Sequence, residues 1–192
     1  MVIRLVVAVL ALAGVLAVSP VVAGAGPTKA LSYALEGSSV WNTTFLPTSF
    51  AATGDVRDGT RTVGSYSGTL TAGTWGPCAE PNNPYGPWCA DVTGDTITFS
   101  LHGGTLTTAV TGGTVWQFAG PASHDTYVFE ITLSVTSGTH AYASAAGTFS
   151  LHYETSRDNF ARDPITDNPC VSVDVSKCPI SDIGTLTGTI SR

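Results

Sequence analysis

The chain has 192 residues, with eight Lys and Arg against 14 Asp and Glu, a net charge of −6 and only 11% charged residues. A net acidic chain with no basic run repels phosphate backbones, so nucleic acid is not an expected partner. Aromatic and β-branched residues are too frequent for a disordered chain, and the abundant Thr and Ser suit the polar faces of strands, so the composition points to an all-β protein.

The opening segment carries Arg4, an apolar run from Leu5 to Val18, a break at Ser19-Pro20 and a small-residue cleavage site at Ala23-Gly24-Ala25. That order predicts a signal peptide over residues 1–25 and export to the extracellular space. An uncleaved anchor needs about 20 apolar residues, and Ser19 and Pro20 interrupt that window. Residues 26–192 then form a single domain, long enough to bury about 70% of its unfolded surface.

Leu31, Tyr33 and Leu35 alternate with Ser32 and Ala34 and predict a first strand; Trp41 to Phe45 reads as a second. Asn42-Thr43-Thr44 is formally a glycosylation sequon. Pro47 to Gly59 reads as a loop ending in the Asp58-Gly59 turn signal. Arg61 to Gly73 reads as one long strand, with Tyr66, Leu70 and Ala72 on one face and Gly68 where the strand must curve.

Trp75 to Gly94 packs four prolines, two cysteines and the aromatics Trp75, Tyr85 and Trp88 into one long connection. Either these rings cover one mouth of the fold, or they form a stacking platform for a sugar or other planar ligand. Asp95 to Leu101 alternates cleanly. Gly103-Gly104 turns into Thr105–Thr111, and Gly112-Gly113 reads as a two-residue hairpin into Thr114–Phe118.

Tyr127, Phe129, Ile131, Leu133 and Val135 fall on one face of the strongest strand, and Phe149, Leu151 and Tyr153 repeat the pattern after a glycine- and alanine-rich corner. Thr155 to Asp182 reads as a 28-residue connection whose charges, Arg157 and Asp158 among them, are expected to be solvated. Thr185 to Ile190 closes the chain, with Leu186, Gly188 and Ile190 on one face. About eight short strands with turn signals between them and no convincing helix predict a barrel or a sandwich.

Cysteines 78, 89, 170 and 178 all lie outside the signal segment. An even number in an exported chain implies disulfides, with three pairings open. The local ones are expected, Cys78–Cys89 and Cys170–Cys178, each bracing one Pro-bearing loop. Neither loop has C-x-x-C spacing or a histidine, so no metal site is expected.

The corner Val135–Gly147, VTSGTHAYASAAG, followed by a Thr/Ser-rich strand and the terminal Gly184–Ile190, GTLTGTI, resembles the allene oxide cyclase and dirigent-type β-barrel family. Bacterial secreted relatives carry a G-G-T-G-x-F/Y-x-x-A-x-G run at this corner. Gly138, Thr139, Tyr142, Ala145 and Gly147 fit it, while Ser137 and His140 stand where two glycines would be. In outline the resemblance runs from Tyr66 to Ile190. It implies a closed antiparallel β-barrel of about eight strands, to which the cysteine spacing adds two disulfide-bearing loops, and self-association into a homo-oligomer. No position matches the family's active-site residues, so no catalytic residue carries over.

Two functional readings follow. The first is an extracellular binding or structural module holding a small apolar molecule in a barrel mouth lined by Tyr66, Phe99, Trp116, Phe129 and Tyr153. The second, implied by the resemblance, is a cofactor-free cyclase or isomerase that works by shaping its substrate. His102, His124, His140 and His152 read as surface residues. Glu130, alone in the middle of the strongest strand, is a candidate base only if its polar face lines the lumen.

Overall fold

Tyr127, Phe129, Ile131 and Leu133 are each at most 3% exposed, so the period of two does place one face of their strand in the core. The structure, a computed structural model, describes residues 27–43, 45–78, 88–93, 95–118, 124–158 and 180–192. Ten strands run in chain order: β1 (Thr28–Trp41), β2 (Ser49–Asp58), β3 (Arg61–Thr71), β4 (Gly76–Pro77), β5 (Trp88–Asp91), β6 (Thr96–Leu101), β7 (Gly104–Phe118), β8 (His124–Gly138), β9 (Ala146–Asp158) and β10 (Ile180–Ser191). One 3-10 turn, His140–Tyr142, is the only helical element among the described residues.

Eight of these strands close into an antiparallel barrel in the order β7-β6-β3-β2-β1-β10-β9-β8, with β8 returning to β7. The last strand pairs with the first, Thr28 with Ser191 through Gly37 with Asp182, so the closure leaves no free edge along these walls. β7 is longer than its neighbour β6. Beyond the end of β6, β5 takes over the same slot, pairing Trp88–Asp91 with Thr114–Gln117, and Ala72 bridges to Val92 on the other side. The break between them is bridged by Asp95, whose carboxylate accepts from Thr71 N at 2.5 Å and Thr71 Oγ1 at 3.1 Å, while its carbonyl accepts from Val110 N at 2.8 Å.

The barrel interior alternates small residues with large ones, as a narrow barrel requires. Gly37 of β1 and Gly54 of β2 are direct partners, and the Tyr66 ring lies across them. A Cβ at Gly54 would stand 2.7 Å from Tyr66 Cε1 and 2.2 Å from the Glu36 carbonyl oxygen. Outside, rows of hydroxyls run across the strands, Ser38–Thr53–Ser67–Thr98–Thr107 among them. The inward rows carry the core and the outward rows the Thr and Ser.

Three expectations need correction. Trp41 is the last residue of β1, and the second strand is β2, inside the stretch Pro47–Gly59 that reads as a loop. β2 was hard to read because its inward positions are Phe50, Ala52, Gly54 and Val56, of which two are small. Second, Gly112-Gly113 is no hairpin: β7 runs through it, with a register shift between Val110 and Gly112. Gly113 has φ of 155°, and a Cβ there would meet the Glu130 carbonyl oxygen at 2.5 Å, so the glycines serve a bulge and a close approach. Third, β9 continues to Asp158 and β10 begins at Ile180, so Thr155, Arg157 and Asp182 are wall residues.

Candidate functional site

The connections leaving β1, β3, β7 and β9 all depart at one end of the barrel, because neighbouring strands alternate in direction. The two connections singled out in the sequence, within Trp75–Gly94 and after β9, therefore root at the same end. The opposite end carries the Asp58-Gly59 and His102-Gly103 turns and the corner at Thr139–Ala145, where Arg192 lies 4.6 Å from the centre of the Tyr142 ring. Connection length alone makes the first end the candidate site.

Its interior is closed by aromatic rings packed edge to face, with Trp75 tilted against Tyr127. Trp75 lies 5.7 Å from Tyr127, Tyr127 lies 5.0 Å from Trp41 and 5.4 Å from Phe50, and Phe50 lies 4.9 Å from Phe129. Phe129 continues to Tyr153 at 5.9 Å and Tyr153 to Tyr66 at 6.4 Å. Two hydrogen bonds hold the outer ring pair: Trp75 Nε1 donates to the Pro47 carbonyl at 3.0 Å, and Leu46 N donates to the Tyr127 hydroxyl at 3.1 Å. Trp75 thus covers the mouth. Trp88 is 40% exposed at the start of β5, and Tyr85 lies outside the described residues.

Beneath this plug sits a buried polar cluster that the sequence reading missed. Asp182, 2% exposed, turns into the barrel beside Thr155 of β9 and Gly37 of β1. Ser39 Oγ donates to its Oδ1 at 3.0 Å, and the Tyr153 hydroxyl donates to its Oδ2. With the Ser39 proton so used, Thr155 Oγ1 is the donor in the 2.7 Å bond between the two hydroxyls. Trp41 Nε1 donates to both, at 3.1 Å to Ser39 and 3.0 Å to Thr155. One row nearer the mouth, buried Arg157 pairs with Asp125 of β8, and its guanidinium lies 5.7 Å from the centre of the Trp41 ring. Arg157 is therefore no solvated surface charge.

Burial dominates the acid–base character of these groups. It raises Asp182 above the ordinary carboxylate range, an effect that the hydroxyls of Tyr153, Thr155 and Ser39 offset only in part. Burial also pushes the Tyr66 phenol up to about 12 and raises Tyr127 and Tyr153. The Tyr66 hydroxyl makes no hydrogen bond of normal geometry, although Tyr66 and Tyr153 lie close enough to affect each other's ionisation. Chemically, the cluster is a chain of neutral hydrogen-bond donors ending in a carboxyl group.

Of the five expected pocket residues, Tyr66, Phe99, Phe129 and Tyr153 are each at most 4% exposed and belong to the packed core. Trp116 does not join them: Val115 points inward, so its neighbour lies on the outer face, opposite Cys89 of β5. The lumen between Leu35, Ala52, Tyr66, Leu70 and Tyr153 holds a cavity of about 10 Å³. That is room for about one water, against roughly 300 Å³ or more for an ordinary ligand pocket. Among the described residues, the cavity that Tyr66 and Tyr153 line is too small for such a ligand.

Glu130 and His152 are cross-strand partners on the outer face, with His152 Nδ1 2.6 Å from Glu130 Oε1 and both side chains 43% exposed. Glu130 therefore does not line the lumen. His102 is exposed in a turn, His140 belongs to the 3-10 turn, and the His124 side chain lies outside the described residues. The Asn42 amide is engaged with its own connection, donating to Thr48 Oγ1 at 2.8 Å and accepting from Thr48 N and Ser49 N. Cys78 and Cys89 form a disulfide, which ties β5 to the segment after β4; Cys170 and Cys178 lie outside the described residues. Among the described residues no group of three or more His, Cys, Asp and Glu side chains is placed to hold a metal ion. No family model, no curated protein and no solved structure matches this chain.

Proposed function

We propose that the protein is an exported binding module whose barrel is a solid scaffold and whose recognition surface is the loop-bearing end. The observation that carries this reading is the packed lumen, which puts any ligand outside the barrel core. Large apolar side chains stay exposed there: Phe45 at 63%, Trp88 at 40% and Phe118 at 38%. A small apolar molecule is the ligand chemistry that such rings suit. Export rests on the apolar leader and its cleavage site, and the Cys78–Cys89 disulfide supports an oxidising destination.

Titration with Nile red, a neutral apolar dye, tests the rim. The dye is expected to bind with a fluorescence increase, and Trp88→Ala to weaken that binding by roughly fivefold or more. Unchanged affinity in Trp88→Ala would count against Trp88 as part of the surface.

A cofactor-free isomerase is the second reading. It is favoured by the resemblance to the allene oxide cyclase and dirigent-type family and by one observation, the buried chain of Tyr66, Tyr153 and Asp182. Neutral phenol and carboxylic acid donors in an apolar site suit an oxygen that gains negative charge during a rearrangement. Reaching them requires the Trp75–Tyr127 cover to move, and on that point the binding module is the simpler reading.

A further inference from the structure

We propose that Asp182 is a latch at the loop-bearing end, holding β1, β9 and β10 together as a neutral acid and releasing them when it ionises. This goes beyond the binding reading and does not depend on it.

Asp182 is the third residue of β10, and its partners lie on two other strands: Ser39, near the end of β1 and itself bonded to Thr155 of β9, and Tyr153, near the end of β9. The residues that frame the 159–179 connection are thus fastened through one carboxyl group.

Ser39, Thr155 and Tyr153 are neutral hydroxyls, and none supplies the positive charge that a buried carboxylate needs. The surrounding titratable groups come from every wall packed against it. On β9, Tyr153 and Arg157 face inward and Glu154 outward. Tyr66 faces in from β3, Tyr127 from β8, and Glu36 of β1 lies on the outer side. Arg157 is paired with Asp125 of β8 and lies over Trp41.

Folding therefore raises the affinity of Asp182 for its proton, in agreement with the direction in which burial drives it. The sign follows by linkage. Stabilisation by the neutral form is complete below the ordinary carboxylate range and is lost as the pH climbs through the raised value. Asparagine has nearly the same shape and cannot ionise, so it escapes that loss.

Three measurements test the latch. Infrared spectra of wild-type protein with isotopically labelled aspartate carboxyl groups should show one protonated-acid carbonyl band that persists to higher pH than those of the ordinary aspartates. This needs no variant, and loss of every such band together with those of the ordinary aspartates overturns the proposal. Melting temperatures of wild type and Asp182→Asn from about pH 5 to about pH 9 should diverge, with the variant gaining roughly 3–6 °C on the wild type as the pH rises. Hydrogen exchange should locate the wild-type loosening in residues 150–158 and 180–186 and leave the pairing of β3 with β6 unchanged. A temperature gap that stays constant or shrinks with rising pH, or loosening spread evenly over the barrel, contradicts the latch.

Discussion

Gly54→Val is expected to be the most damaging single substitution in the wall, destabilising the barrel by about 4 kcal/mol or preventing folding altogether. The new Cβ would lie 2.2 Å from the Glu36 carbonyl oxygen, 2.6 Å from Gly37 Cα and 2.7 Å from Tyr66 Cε1. Two of those three atoms are backbone, which cannot step aside without opening the pairing of β1 with β2. Tyr66 is buried and its ring lies across both glycines, so the third contact cannot relax outward either. Urea denaturation measures the loss. Adding Tyr66→Ala to Gly54→Ala should recover only the share due to the ring, because the backbone contacts remain. A freely tolerated Gly54→Val would mean that β1 and β2 are not this close.

Phe50→Ala is expected to cost about 3–5 kcal/mol, a large fraction of the stability of a domain this size. Phe50 is fully buried and touches three rings: Trp41 at 6.1 Å, Tyr127 at 5.4 Å and Phe129 at 4.9 Å. Truncation removes its transfer energy, leaves a cavity under the plug and deletes three edge-to-face contacts at once. Phe45→Ala makes the same chemical change at a site 63% exposed and should shift stability by about 0.5 kcal/mol or less. Equal losses at the two positions in urea denaturation would contradict the packing described for the mouth.

How legible these features were depends on what each side chain reports about its surroundings. β8 and β9 were readable because their inward positions are large and apolar and their outward ones polar, so period and burial agree. β2 was not, because the space beside Tyr66 and along the neighbouring strands selects glycine and alanine at inward positions, and these carry no hydropathy signal. β7 was split in two because glycine pairs mark both hairpins and bulges; only the partner strand decides, and here Glu130 and Ile131 stand against Gly113.

The polar cluster was hidden for a different reason. Arg157 and Asp182 are charged residue types, which are rarely buried, and they lie 25 residues apart in the chain. What makes them interior is the pairing of β9 with β10, a contact between distant segments. One sequence signal was available: Tyr153, Thr155 and Arg157 continue the inward parity of Phe149 and Leu151 without a break. Extending that alternation past Tyr153 would have placed Arg157 inside. The split among the five pocket residues has the same origin, since Trp116 differs from the other four by its parity in β7, beyond a bulge that shifts the count by one.

Native mass spectrometry of the protein purified from culture medium tests most directly whether the barrel is a filled scaffold and not a chamber. A solid lumen predicts the bare chain mass with its Cys78–Cys89 disulfide, with any apolar adduct labile under gentle activation and lost on Trp88→Ala. A stoichiometric small molecule that survives Trp88→Ala and leaves only when the barrel unfolds would place a ligand inside the lumen and contradict the account.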